Sequence, residues 1–149
     1  MPDCHVCALE AATDSPRALY ADEHWRATTA TDAPGWVMLL NRRHNPGWLW
    51  DLSDAEASSY GTHLRAISQA ITAVTGAERV YLIALGENTL HFHCLLIPRF
   101  ADTPADMRGA GLLGHAAELA DPARALEVTA RLRERVETSG AGAGAGAAG

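Results

Sequence analysis

Two histidines one residue apart, in the run His91-Phe-His93-Cys-Leu95-Leu-Ile-Pro-Arg99, are the groups in this chain best placed to do chemistry. The run is short and apolar and reads as a buried strand, along which side chains alternate between faces. His91, His93 and Leu95 then share one face, with Phe92, Cys94 and Leu96 on the other. Burying two imidazoles side by side is costly unless they bond or react. Imidazole is largely neutral near pH 7 and nucleophilic while neutral, so it can attack an electrophile or ligate a metal. A second pair, Cys4-x-x-Cys7, offers two soft ligands at a spacing that one tetrahedral zinc accepts. Two ligands do not close a structural site by themselves, and the plainer alternative is two small buried residues near a terminus. A redox dithiol would open a helix behind a strand, and nothing strand-like precedes Cys4.

The run around His93 resembles the signature of the histidine triad (HIT) superfamily, in which three histidines alternate with apolar residues and Pro-Arg often follows closely. At the third histidine position this chain has Leu95. The likeness to the zinc-containing branch, and to galactose-1-phosphate uridylyltransferases, runs from Cys4 to about Arg99 and includes Tyr20-x-Asp22 and Asn41-Arg-Arg-His44. It implies a zinc site made by Cys4, Cys7, His44 and His91, structural because four protein ligands leave no open position for water. It implies that His93 is the catalytic nucleophile, forming a nucleotidyl-histidine on the α-phosphorus of a nucleotide. Asn88, Thr89 and Arg99 are the candidate substrate contacts, Arg99 by pairing with phosphate oxygens.

Leu95 can neither donate a hydrogen bond nor carry a proton, and losing a positioned acid or oxyanion donor costs on the order of 10²–10³ in rate. Glu87, just before the candidate contacts, suits a phosphate only if it points away. Three readings therefore stand. The first is a HIT-like nucleotidyl hydrolase or transferase acting on a phosphoester or phosphoramidate. The second is a catalytically silent nucleotide- or partner-binding module. The third is a HIT scaffold redeployed for other small-molecule chemistry. A basic pocket around His93 would favour the first, and an apolar one the third.

The elements that must position these residues are readable in outline. Arg17–Tyr20 and His24–Thr29 read as a strand pair turning at Ala21-Asp22-Glu23, and Trp36–Leu40 as a central strand. Ser53-Asp-Ala-Glu56 is a capping-box pattern. Tyr60, Leu64, Ile67, Ile71 and Val74 then form one apolar stripe, and Gly76 is a stop. Val80–Leu85 and Leu90–Ile97 read as antiparallel partners about a Gly86-Glu-Asn88 turn. Asp121-Pro122 opens a last helix with Ala125, Val128, Leu132 and Val136 on its apolar face. The order predicts an α+β fold, and the resemblance implies that it is HIT-like. Its mostly antiparallel sheet has about five strands, with one long helix after the third strand and a C-terminal helix. His5, His24, His63 and His115 have no interpretable spacing and read as ordinary surface or core histidines.

At 149 residues the chain suits one domain, 1–138, with a Gly-Ala tail over 139–149 that has no side chains to bury. A net charge of −6 argues against nucleic-acid binding while permitting a small anionic ligand held by local arginines. No apolar run approaches a bilayer span, so no membrane partner is expected and the default location is cytoplasmic. The expected partner is a small molecule, a nucleotide by resemblance, and similar proteins are commonly homodimers.

Overall fold

The structure, a computed structural model, describes residues 4–45 and 47–139. The tail read from the sequence lies outside them, except Ser139, which caps the last helix. Cys4 is the N-cap of a short helix, α1 (His5–Ala11), its Sγ accepting the Cys7 N–H at 3.5 Å. This helix was not legible in a segment that reads only as polar and small. Next come β1 (Ala18–Ala21) and β2 (Trp25–Thr29), whose hairpin is set by Asp22. Its Oδ1 accepts the N–H groups of His24 and Trp25 at 2.9 and 2.8 Å. β3 (Val37–Asn41) is buried throughout. α2 (Asp54–Thr75) starts on the capping box, with Ser53 and Glu56 each bonding the other's backbone N–H, and stops at Gly76 in the left-handed conformation. β4 (Arg79–Ile83), β5 (His93–Arg99) and α3 (Pro122–Thr138) complete the chain, α3 being capped by Asp121 with Pro122 in its first turn.

The five strands make one sheet in the order β1-β2-β3-β5-β4, with every neighbouring pair antiparallel. α2 provides the crossover from β3 to β4, and β5 then inserts between them. On one face α2 and α3 bury Ile67, Ile71, Val128, Leu132 and Val136 against Leu39, Leu96 and Phe92. Each such side chain taken fully out of water contributes about 1.5–3 kcal/mol. The other face is covered in two parts. Val6 and Leu9 of α1 pack on Met38 and Leu40. Leu112 and Leu113, in a run of 3₁₀ turns at 109–115, pack with Trp36, Ile97 and Ile83. Leu95 joins both clusters. Among the described residues no helix is long and apolar enough to cross a membrane.

Two details depart from the sequence reading. β5 begins at His93 and runs through Pro98 and Arg99, whereas the pattern suggested Leu90–Ile97. Its start is delayed because the His91 ring is drawn into bonds beyond the sheet, described below. Pro98 is accommodated because β3 begins at Val37, opposite Leu96, so one flank of β5 is free beyond that point. The residues between β4 and β5, Ala84 to Phe92, accordingly form a long loop in place of a tight turn.

The segment after β3 is tied to α2 by charge. Arg43 Nε and Nη2 donate to the two oxygens of Glu56 at 3.0 and 2.7 Å, and Nη2 also reaches the Asp51 carbonyl. The Glu56 carboxylate is buried, and Arg43, helped by the Ser53 N–H, holds its pKa at about 2. A carboxylate whose pKa is depressed on folding stabilises the fold above its ordinary pKa, and that stability disappears as pH falls toward the folded value. Glu56→Gln should therefore cost on the order of 2 kcal/mol at pH 7, the half-exposed arginine limiting the size. It should also remove most of the stability difference between pH 4.5 and about pH 2. Urea unfolding of both proteins across that range checks this, and an unchanged acid profile would contradict it.

Candidate metal centre and reactive histidine

The ends of β3 and β5 adjoin. Leu40 is opposite His93, and the Asn41 N–H bonds the Phe92 carbonyl at 3.1 Å. Residues just past the end of β3 and just before the start of β5 are thereby brought together, and α1 lies over the same edge. Here the structure gathers Cys4, Cys7, His44 and His91, the four residues that the resemblance singles out. Their ligand atoms all lie within 4.8 Å of one another. Cys4 Sγ is 3.5 Å from His91 Nδ1, and Cys7 Sγ is 3.4 Å from that atom and 3.3 Å from His44 Nδ1. Zinc bonds to sulfur and nitrogen of about 2.3 and 2.1 Å put tetrahedral neighbours about 3.6 Å apart, so the spacing suits one ion.

The chemistry of the donors also fits. His91 is fully buried, and its Nε2 donates to the Asn41 carbonyl at 2.6 Å, which leaves the Nδ1 lone pair facing the thiols. Such an outer bond to a backbone carbonyl orients a metal-binding imidazole. Burial pushes the His91 pKa below its ordinary value, which keeps the ring neutral as ligation requires. Burial and the adjacent Cys4 push the Cys7 thiol up, so two thiolates this close need a cation to hold them. The cluster can hold zinc as a closed Cys₂His₂ site that ties α1 to the sheet. Cys4 and Cys7 open a helix, and two imidazoles face the pair, an arrangement suited to ligation.

Residues that the sequence reading passed over hold this corner. The Asn45 Oδ1 accepts N–H groups from Gly47 at 2.9 Å and Phe92 at 3.0 Å, stapling the loop after β3 to the approach of β5. Gly47 has φ +97°, and a Cβ there would stand 3.2 Å from the His91 nitrogen, so the two segments can close only around glycine. Asn-x-Gly in a loop is an ordinary turn signal, and nothing local marks it as a clasp on residues nearly fifty positions away.

His93 is half-buried, and its Nδ1 donates to the His91 carbonyl at 2.7 Å. The other ring nitrogen, Nε2, is then the one with a lone pair. The ring borders a small cavity of about 150 Å³ shared with Asn88, Thr89, Glu87 and Leu95 and closed by Ile83, Leu85 and Leu113. Asn88 and Thr89 are thus brought to His93, whereas Arg99 is not. Arg99 stands six residues along β5, roughly 20 Å away, where it pairs with Glu78 and bonds the Phe100 carbonyl. His63 is a core histidine satisfied on both sides, by the Tyr20 hydroxyl at 2.8 Å and Asp22 at 2.9 Å.

Removing a ligand and removing His93 should have separable effects. Cys4→Ser is expected to lose zinc and to lower the melting temperature, whereas His93→Ala keeps both near wild type. Asn45→Ala should weaken zinc binding by roughly 10–100-fold through the lost clasp. Metal content by mass spectrometry, chelator competition and thermal melts report these outcomes. Equal zinc loss in Cys4→Ser and His93→Ala would contradict the division of roles.

No family model matches the chain, and no curated protein matches it in sequence. Solved structures do match. A zinc-bound histidine triad family protein from Mycobacterium smegmatis superposes with a TM-score of 0.69 at 16% identity, over 94% of this chain and 97% of that one. A histidine triad protein from Bradyrhizobium japonicum gives 0.68 at 20% identity, over 80% and 89%. A hypothetical histidine triad nucleotide-binding protein from Sulfolobus tokodaii gives 0.66 at 16%, over 89% and 91%. These matches and the sheet order show that this chain has the histidine triad fold, with a Cys₂His₂ corner and with leucine where the signature has its third histidine.

Proposed function

We propose that this protein is a HIT-like hydrolase or transferase that passes a nucleotidyl group through His93. The observation that carries the reading is the His93 imidazole, whose Nδ1–H is held by the His91 carbonyl while its other nitrogen borders a cavity. In the proposed reaction Nε2 attacks the α-phosphorus, an N–P bond forms, and the bond to the leaving group breaks with its electron pair. Water or a second acceptor then attacks phosphorus and returns histidine to its starting state. Asn88 and Thr89 are the polar side chains placed to contact the phosphoryl oxygens. Zinc, when bound, orients His91 and through it His93, and its four protein ligands leave it no place in the reaction.

A second reading has support from the same cavity. Its lining contains no lysine or arginine and includes Glu87, while Ile83, Leu85, Leu95 and Leu113 make it largely apolar. That environment suits a substrate with less negative charge than a nucleotide, handled by the same histidine on a redeployed scaffold. Fold alone does not choose between the two chemistries. In either reading the substrate is a small molecule. β4 is an edge strand with Leu82 exposed, and Leu85 and Leu90 are exposed beyond it, which supports pairing of two copies. The free thiols of the Cys₂His₂ corner suit the reducing cytoplasm.

Product release from a panel of nucleoside phosphoramidates, dinucleoside polyphosphates and nucleotide sugars tests the nucleotidyl reading. Turnover that disappears in His93→Ala is the expected result. Leu95→His should then raise the rate by roughly 10–100-fold by restoring a proton donor beside the leaving group. Turnover that persists in His93→Ala would sink the reading, and a panel that gives none would move it to the redeployed scaffold.

A further inference from the structure

Arg26 is a buried cation that nothing in the site above uses. It lies in β2 opposite Leu40, which is itself opposite His93, so all three side chains emerge on one face of the sheet. Two strand spacings put Arg26 about 10 Å from His93. The residue is only 5% exposed. Its Nε has no hydrogen-bond partner among the described residues. The carboxylate within salt-bridge range is Glu10, whose Oε1 stands 3.9 Å from Nη2 and accepts instead from Arg42 Nε at 2.9 Å. A guanidinium taken out of water without hydrogen bonds is strongly unfavourable, and native proteins keep one where something pairs with it.

The surroundings indicate what that partner is. Arg26 lines a cavity of about 400 Å³ beside β1, together with Arg133, Tyr20, Thr13, Ser15 and Asp14. Arg133 is anchored by two neutral acceptors, the Ala18 and Pro16 carbonyls at 2.8 and 2.9 Å, which leave its charge uncompensated. Asp14, the acid of this lining, is exposed. Two cations against one solvated carboxylate stand out in a chain of net charge −6. The volume falls within the usual range for a small-molecule site, and the lining shares no residue with the cavity at His93.

We propose that this cavity binds a small oxyanion, a carboxylate or a phosphate, on the guanidinium groups of Arg26 and Arg133. The guanidinium fork matches either oxyanion through paired N–H···O bonds. The site is separate from the reaction assigned to His93 and does not depend on it.

Calorimetric titration of the zinc-loaded full chain with inorganic phosphate, and separately with succinate, tests the site and tells the two oxyanions apart. Saturable binding of at least one of them is expected, with the same Kd in His93→Ala. Arg26→Met should weaken that binding tenfold or more and melt no lower than wild type, because it removes a buried charge that lacks a partner. Arg133→Met, at a half-buried position, should weaken the same titration and serves if Arg26→Met does not fold. The proposal is overturned if neither anion binds saturably. Binding that vanishes in His93→Ala, or that survives unchanged in both arginine variants, overturns it equally. So does an Arg26→Met protein that melts lower and binds as wild type, which would make Arg26 a structural partner of Glu10.

Discussion

The bond from His91 Nε2 to the Asn41 carbonyl is the constraint on which the rest of the site depends. It turns the opposite nitrogen of a fully buried ring toward two thiols and a second imidazole, so one hydrogen bond selects the tautomer that a metal requires. The same residue holds His93 through its own backbone carbonyl. His91 thus joins the Cys₂His₂ corner to His93 without an intervening side chain. β5 begins two residues past that anchored ring.

Around that bond the charges fall into two kinds. Arg43 and Glu56 form a paired, fork-to-carboxylate contact that fixes the loop bearing His44 against the first turn of α2. Arg26 and Arg133 are charges without a carboxylate partner in hydrogen-bond reach. Sheltering two such groups in one cavity carries a cost of desolvation and mutual repulsion that a bound anion would offset. The cavity at His93 has the opposite character, largely apolar with one carboxylate and no arginine or lysine.

Leu95 belongs to this contrast. It packs both with Met38 beneath α1 and with the 109–115 turns, bridging the two apolar clusters of that face. Half-buried, it also lines the cavity beside His93, so the leucine serves the packing while offering no proton donor there.

Much of the architecture could be read locally. The capping box at Ser53, the stripe from Tyr60 to Val74, the stop at Gly76 and the Asp121-Pro122 entry each specify a helix boundary through bonds among near neighbours. The Cys4-x-x-Cys7 and His91-x-His93 spacings likewise mark residues able to ligate a metal, because that capacity resides in the side chain itself. What required the tertiary structure was every relation across strands. The register of β3 on β5 carries His44 to His91, brings Asn88 and Thr89 to His93 and leaves Arg99 far along the strand. The register of β2 on β3 buries Arg26 on the reactive face, where an alternating pattern alone shows only an arginine in a strand. The division has a physical cause: caps, turns and ligand types are settled within a few residues, whereas burial and pairing follow from which strands become neighbours, and pairings between residues far apart in the chain, such as Val37 with Leu96, make that choice.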